Sequence, residues 1–306
     1  MHDDRSSESL ETLLTEQPNA ATYHIDKMSP LEIVQAMNAE DAAVAAAVAL
    51  ESPQIARAIE AIAARMRSGG RIIYLGAGTS GRLGALDAYE CPPTFNIAAD
   101  RVIACVAGGA FALTQAAEDL EDDASAGERD IAAVHITAQD CVIGITASGR
   151  TPYVLGGIAW AKQHSALTIG LVCNAPSRLA DLAEICIAPI VGPEVISGST
   201  RLKAGTAQKM VVNMLSTGVM ILLGKTYGNL MVDVQATNAK LRQRAMNVVR
   251  SITGCHETEA EQALQQSAGD ARVAVVMLAF QVNAADALAR LQARGGNLRA
   301  ALERGL

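Results

Sequence analysis

Between residues 71 and 223, short apolar runs alternate with segments of helical periodicity, and this alternation constrains the fold more than any other feature. Five runs have the length and composition of buried strands. They lie at residues 71–75, 102–107, 141–146, 167–173 and 185–190. Because strands that alternate with helices usually pair in parallel, the pattern predicts an α/β fold, with a parallel sheet flanked by helices on both faces.

The segments between these runs predict helices at residues 80–90, 109–119, 127–134, 152–164 and 202–223. Beyond about residue 225 no further strand is predicted. Helical stretches follow there at 238–253, 257–268, 271–281 and 283–294. The run 273–278 also fits a buried strand, because periodicity does not separate the two for short runs. We therefore predict three parts: an N-terminal helical segment (1–55), a sheet domain (56–225) and a small helical C-terminal domain (226–306).

Composition and charge narrow the classes of function. Half of the chain is apolar but only 3% is aromatic, so the core is built from Ala, Val, Ile and Leu. The net charge of −7 argues against a nucleic-acid-binding protein. The polar N-terminus lacks the apolar core of a signal peptide, and we find no apolar run of about 20 residues that would span a bilayer. We expect a soluble, cytoplasmic protein with no membrane partner.

Neither cysteine nor histidine suggests a metal site. The six cysteines form no C-x-x-C pair, and most stand in apolar runs, as buried cysteines of a reduced compartment do. The five histidines have no ligand spacing. We expect no metal ion.

Residues 75–82, LGAGTSGR, follow the first predicted strand and open the next helix. Glycines allow a tight turn and a close approach to a ligand, and Thr79 and Ser80 place hydroxyls near the positive end of that helix, which suits an anion. A dinucleotide fits less well, because no strand about 20 residues on ends in an acidic residue. An ordinary strand-to-helix turn is the alternative.

Residues 146–152, TASGRTP, repeat this arrangement after the third predicted strand. Thr146, Ser148 and Thr151 surround one glycine, and Pro152 suits the first turn of a helix. Hydroxyls and helical amides together form a cradle for phosphate. Helix capping is the alternative for each hydroxyl taken singly.

Two acidic features offer carboxyl groups for acid–base chemistry. Glu90 begins the block ECPPTF at the predicted end of a helix, where the macrodipole disfavours a negative charge. Five of the six residues from Glu118 to Asp123 are acidic. The alternatives are a solvated helix end for Glu90 and a solvated acidic loop for the cluster.

Residues 194–203, EVISGSTRLK, precede the long predicted helix. Ser197, Ser199 and Lys203 could contact a sugar hydroxyl, a carboxylate or a phosphate. Plain helix capping explains the same pattern without a ligand.

These blocks, taken together and in order, resemble one family. LGAGTSGRLGALDAYECPPTF, AAEDLEDD, TASGRTPYV and GPEVISGSTRLKAGTAQKMVVNMLST are similar to N-acetylmuramic acid 6-phosphate etherases, as are TEQPN and NAKLRQRAMNVVRSITGC. The resemblance covers nearly the whole chain. It implies a sugar isomerase (SIS) domain, a helical C-terminal piece, a homodimer, and a sugar-phosphate site like that of glucokinase regulatory protein. From the missing ligand spacing and the incomplete dinucleotide fingerprint we expect no metal or nucleotide cofactor.

The resemblance also implies a reaction and its residues. The family removes D-lactate from N-acetylmuramic acid 6-phosphate by elimination and then adds water, in the recycling of cell-wall sugars. Its two catalytic glutamates correspond to Glu90 and Glu121, with Glu118 the alternative for the second. The family assigns Glu90 as the acid for lactate departure and Glu121 as the base at C2, an order that the residues alone do not give. An aldose–ketose isomerase and a non-catalytic sugar-phosphate sensor remain alternatives.

Overall fold

The computed structural model describes residues 12–115, 120–233 and 239–303. The chain forms two compact units. The first comprises residues up to 88 together with 100–216, and the second comprises 89–99 together with the residues from 217 onwards. These boundaries differ from the predicted domains at 1–55, 56–225 and 226–306, which stay a prediction.

The first unit is built on a five-stranded parallel sheet in the order β2-β1-β3-β4-β5. Its strands are β1 (Ile72–Gly76), β2 (Val102–Val106), β3 (Cys141–Ile145), β4 (Leu167–Leu171) and β5 (Ile185–Ile187). All residues of β1, β3 and β4 are buried, as expected for a sheet covered by helices on both faces. The predicted α/β class with a parallel sheet is confirmed.

The strand order places a topological switch point between β1 and β3. These strands are neighbours, with Gly76 paired with Ile145, yet the chain leaves them in opposite directions across the sheet. In open α/β sheets, ligands bind at the carboxyl ends of the strands at such a point. Both hydroxyl-rich loops predicted from the sequence begin at these two strand ends.

The helices of this part of the chain are α1 (Pro30–Asp41), α2 (Val44–Leu50), α3 (Ser52–Arg67), α4 (Gly78–Phe95), α5 (Gly109–Ala112), α6 (Ala124–Ala133), α7 (Pro152–Gln163), α8 (Arg178–Leu182) and α9 (Lys203–Leu222). The last residues of α4 and of α9 belong to the second unit.

Several predicted elements have wrong bounds, and three of them show the physical reason or the extent of the difference. Helix α4 does not end at Glu90 but continues through two prolines, because the Pro92 carbonyl still accepts the Asn96 N–H at 2.9 Å. Strand β5 ends at Ile187 rather than residue 190, since the Ala188 N–H bonds Glu51 Oε2 at 3.0 Å and leaves the ladder.

The helix predicted at 109–119 is the third. It forms only as the four residues of α5, and residues 116–119, including Glu118, lie outside the described ranges.

The second unit is mainly helical. It contains α10 (Ala239–Thr253), α11 (Glu257–Gln266), α12 (Ala271–Phe280), α13 (Ala284–Gln292) and α14 (Leu298–Leu302). The run 273–278 is part of α12, and Asp270 caps that helix by accepting from the N–H groups of Arg272 and Val273. The prediction of no strand after 225 is wrong. Strands β6 (Thr226–Tyr227) and β7 (Leu230–Met231) form a small antiparallel hairpin, and each is too short to show alternation.

The N-terminal helices are unusually apolar for their exposure. By length and composition, Pro30–Leu50 could cross a membrane. The helices Ala271–Phe280 and Ala284–Gln292 are also long and apolar enough together, although the chain bends between them. The first stretch is divided between α1 and α2, and its Glu40 accepts a hydrogen bond from Lys203. The expectation of no membrane partner stays a prediction.

Candidate active site

The loop after β1, residues 75–82, is closed by a very near approach of two glycines. We call it the glycine loop. A Cβ on Gly76 would stand 2.7 Å from the Gly81 nitrogen, and one on Gly81 would stand 2.6 Å from the Gly76 carbonyl oxygen. Only glycine fits either position. The turn places Thr79 and Ser80 in the first turn of α4, where helical N–H groups are still free of intrahelical partners.

The loop after β3, residues 146–151, gathers the three predicted hydroxyls. We call it the hydroxyl loop. Thr146 Oγ1 lies 3.2 Å from Ser148 Oγ and 2.8 Å from Thr151 Oγ1, and the Arg150 N–H donates to Ser148 Oγ at 3.2 Å. Gly149 has a φ of +71°, and a Cβ there would meet the Ser177 Cβ at 2.4 Å. The predicted clustering of these hydroxyls is therefore present at the N-terminus of α7.

Residues 194–203, which we call the capping loop, use their polar groups differently. The Glu194 side chain is fully buried and accepts the N–H groups of Lys203 and Ala204, each at 2.9 Å. It therefore caps α9 from nine residues away. Burial raises the pKa of Glu194, and these two backbone hydrogen bonds oppose the rise.

Two of the three predicted ligand groups of the capping loop already bond to protein. Lys203 is 3% exposed, and its Nζ donates to Glu40 Oε2 at 2.6 Å. This hydrogen bond lowers the pKa of Glu40. Ser197 Oγ donates to the Gln17 carbonyl at 3.2 Å, while Ser199 is half-buried. These contacts favour the capping alternative, and a ligand role for Ser197, Ser199 and Lys203 stays a prediction.

The N-terminal segment joins the hydroxyl loop and the capping loop through long-range contacts that no local sequence pattern predicts. Asn174 Nδ2 donates to Thr15 Oγ1 at 3.0 Å and to the Ala147 carbonyl of the hydroxyl loop at 2.9 Å. The Thr15 carbonyl in turn accepts the Gly198 N–H of the capping loop at 2.9 Å. Thr15 is 0% exposed and Asn174 is 2% exposed, so these bonds are shielded from water.

The two candidate catalytic glutamates occupy different elements. Glu90 is exposed and lies in the last half of α4. Glu121 is also exposed, and its backbone carbonyl accepts the Tyr153 N–H at 2.9 Å. Since Tyr153 belongs to the first turn of α7, this bond fixes the backbone of Glu121 close to the hydroxyl loop. The catalytic roles of Glu90 and Glu121 stay predictions.

Comparison with known proteins decides the family. A protein of Vibrio parahaemolyticus named N-acetylmuramic acid 6-phosphate etherase 2 is 51% identical over 293 residues, which cover 96% of this chain and 98% of that protein. A Rhodopirellula baltica protein named N-acetylmuramic acid 6-phosphate etherase is 54% identical over 268 residues, covering 88% of this chain and 89% of that protein.

The chain belongs to the N-acetylmuramic acid 6-phosphate etherase family.

Family models agree with this placement and cover the candidate site. Residues 54–162 match the N-terminal SIS domain of glucokinase regulatory protein, and residues 111–218 match the SIS domain. Residues 228–275 match the C-terminal lid domain of glucokinase regulatory protein. The SIS matches of this etherase-family chain include the glycine loop, the hydroxyl loop, the capping loop and both glutamates.

A solved structure confirms the fold. A Bacteroides fragilis protein described as a phosphosugar isomerase involved in capsule formation superposes with a TM-score of 0.50 at 17% identity, covering 63% of this chain and 91% of that one. At this identity the likeness shows the SIS fold alone.

Proposed function

We propose that this chain is a carbon–oxygen lyase that cleaves the D-lactyl ether of N-acetylmuramic acid 6-phosphate. The products are N-acetylglucosamine 6-phosphate and D-lactate. The observation that carries the proposal is 51% identity to a named etherase over 96% of the chain. The substrate is a cell-wall amino sugar, so the reaction belongs to the recycling of such sugars.

The two loops at the switch point suit the phosphate of this substrate. Thr146, Ser148 and Thr151 present clustered hydroxyls beside the N-terminus of α7, and Thr79 and Ser80 lie in the first turn of α4. Helix N-termini favour anions, and hydroxyls add donors that rotate toward phosphate oxygens. Holding the phosphate fixes the sugar for reaction, which contributes up to roughly 7–11 kcal/mol in well-oriented systems.

Two carboxyl groups are sufficient for the chemistry. In the open-chain sugar the C1 aldehyde acidifies the C2 proton, and Glu121 removes it as a base. The C3–O bond then breaks, and Glu90 donates a proton to the departing lactyl oxygen. Water adds to C3 of the unsaturated aldehyde and a proton returns to C2. Each acid–base contact contributes typically about 10²–10⁴-fold to the rate.

The protein works in this proposal as a cytoplasmic homodimer without a metal or nucleotide cofactor. Helix α9 supports the dimer, because Met214 and Ile221 are 42% and 51% exposed although they lie in a very apolar helix. In α1, Leu31 and Val34 are similarly exposed at 67% and 63%. Light scattering should give twice the chain mass of 31.9 kDa, and a monomer at micromolar concentration would exclude the dimer.

The experiment that tests the function is an assay of D-lactate on incubation with N-acetylmuramic acid 6-phosphate. An etherase releases one lactate for each N-acetylglucosamine 6-phosphate formed. An isomerase would convert the sugar phosphate without lactate, and a sensor would bind it unchanged, so either result would reject the proposal. Full activity in the presence of a chelator is expected, and loss that one divalent ion restores would contradict the absence of a metal.

A further inference from the structure

Gln208 is a buried amide with only one of its two polar ends engaged. It lies on α9 and is 1% exposed. Its Oε1 accepts the hydroxyl of Ser80 at 2.9 Å. Its Nε2 has no hydrogen-bond partner among residues 12–115, 120–233 and 239–303.

An unpaired amide NH₂ at this depth is unusual, because buried polar groups in folded proteins are nearly always hydrogen-bonded. A second amide on the same helix shows the ordinary arrangement. Asn213 Nδ2 donates to Asp87 Oδ1 at 2.7 Å, and Asp87 also accepts from Ser216 and Tyr74. The amide NH₂ of Asn213 therefore has an acceptor within the fold, whereas that of Gln208 has none in the described part of the chain.

The first turns of α9 lie beside the glycine loop and are linked through Cys173 to the hydroxyl loop. A Cβ on Gly205 would lie 3.5 Å from Thr79 Cγ2 of the glycine loop. The Ala204 carbonyl accepts from Cys173 Sγ at 3.8 Å, and the Cys173 N–H donates to Ala147 of the hydroxyl loop at 3.0 Å.

Gln208 follows Ala204 by one helical turn on the same face of α9, since residues i and i+4 are neighbours on a helix. Its free amide end is covalently joined to the carbonyl that holds Ser80. The amide therefore lies beside the glycine loop, one helical turn from Ala204, which is linked to the hydroxyl loop through Cys173.

We propose that Gln208 is a ligand-binding residue, whose Nε2 donates a hydrogen bond to an oxygen of the sugar phosphate bound at Ser80. The inference rests on the proposed function for the class of ligand. The ligand oxygen that accepts this hydrogen bond belongs either to the phosphate group or to a hydroxyl of the sugar. The Oε1 end fixes the carboxamide through Ser80, so that the Nε2 end meets the ligand already oriented.

The test compares Gln208→Met with Asn213→Leu, two exchanges of an amide for an apolar side chain on one helix. Isothermal titration of the full-length protein gives the affinity for N-acetylglucosamine 6-phosphate and for inorganic phosphate. We expect Gln208→Met to weaken sugar-phosphate binding about tenfold, the effect of one hydrogen bond to a ligand. Its melting temperature should change little, because the unpaired buried donor is removed together with the acceptor of the Ser80 hydroxyl.

Asn213→Leu should behave in the opposite way. It removes one of the donors to the buried Asp87, so the melting temperature should fall while the affinity for sugar phosphate changes less than about twofold. If Gln208→Met weakens both ligands, the acceptor is a phosphate oxygen. If it weakens the sugar phosphate alone, the acceptor is a sugar hydroxyl.

Unchanged affinity of Gln208→Met for both ligands would overturn the inference, and a fall in melting temperature would then assign Gln208 a packing role. Should that variant fail to fold, Gln208→Glu keeps the shape and the acceptor for Ser80 but removes the donor and adds a negative charge. It should bind either ligand more weakly than Gln208→Met is expected to, and wild-type affinity would equally overturn the inference. Binding without lactate release by the wild type would reject the proposed reaction but leave this inference open to the same test.

Discussion

The hydroxyl loop and the capping loop resemble each other in sequence, yet the structure uses them differently. Both carry several hydroxyl or cationic side chains just before a helix. In the hydroxyl loop, the Thr146 hydroxyl is hydrogen-bonded to those of Ser148 and Thr151, so the hydroxyls of this loop pair with one another. In the capping loop, Glu194 and Lys203 are bonded to backbone and to a distant carboxylate. A hydroxyl-rich segment before a helix therefore does not by itself distinguish a ligand cradle from a cap.

The largest effect should come from removing the buried cap. Glu194→Ala leaves the N–H groups of Lys203 and Ala204 without their acceptor, and hydrogen bonds to a charged group contribute about 1.5–3 kcal/mol each. Part of this is offset because the burial of a carboxylate is relieved. We expect the free energy of unfolding to fall by about 3 kcal/mol in chemical denaturation. Unchanged stability with weaker sugar-phosphate binding would show that Glu194 acts in ligand binding and not as a cap of α9.

A smaller effect, with a distinctive pH dependence, should follow from Lys203→Met. The hydrogen bond from Lys203 lowers the pKa of Glu40 from its ordinary 4.5, so Glu40 stays ionised in the folded state where the unfolded chain is protonated. The stabilisation is complete above that ordinary pKa and is lost as pH falls through the lowered one.

Lys203→Met should therefore cost about 2 kcal/mol at pH 7, between an exposed and a fully buried pair, and less at pH 3. Thermal denaturation at the two pH values measures this. A pH-independent loss of stability would show that Lys203 stabilises the fold other than through Glu40. A raised KM without any loss of stability would show that Lys203 binds the substrate.

The smallest of the three is a matched pair of serine substitutions. Ser148→Ala removes a hydroxyl from the hydroxyl loop and should raise KM about tenfold, as expected for one hydrogen bond to a phosphate. Ser197→Ala removes one from the capping loop and should leave KM unchanged. Both should keep the stability of the wild type within about 0.5 kcal/mol. Equal effects of the two substitutions on KM would contradict the assignment of ligand binding to the hydroxyl loop and of helix capping to the capping loop.

Local features could be predicted from the sequence, and features that depend on distant partners could not. The three hydroxyls of the hydroxyl loop lie within six residues, so the local turn alone brings them together. Gln208 and Ser80 are 128 residues apart, and Asn174 and Thr15 are 159 apart, so no local pattern pairs them. The end of β5 likewise depends on Glu51, which lies in the turn between α2 and α3. The parallel sheet followed from the alternation of strands and helices, whereas the strand order and the switch point became visible only in the structure.

The assignment of two glutamates to two steps is the central claim, and proton NMR in heavy water beside a lactate assay tests it most directly. Glu121→Gln removes the base, so it should neither exchange the C2 proton of N-acetylmuramic acid 6-phosphate nor release lactate. Glu90→Gln keeps the base but lacks the acid, so it should exchange C2 with deuterium while lactate release falls by about 10²-fold or more.

The opposite pattern of C2 exchange would reverse the two roles. Loss of exchange in Glu118→Gln, with Glu121→Gln unaffected, would move the base to Glu118. Full lactate release by all three variants would contradict the two-carboxylate mechanism.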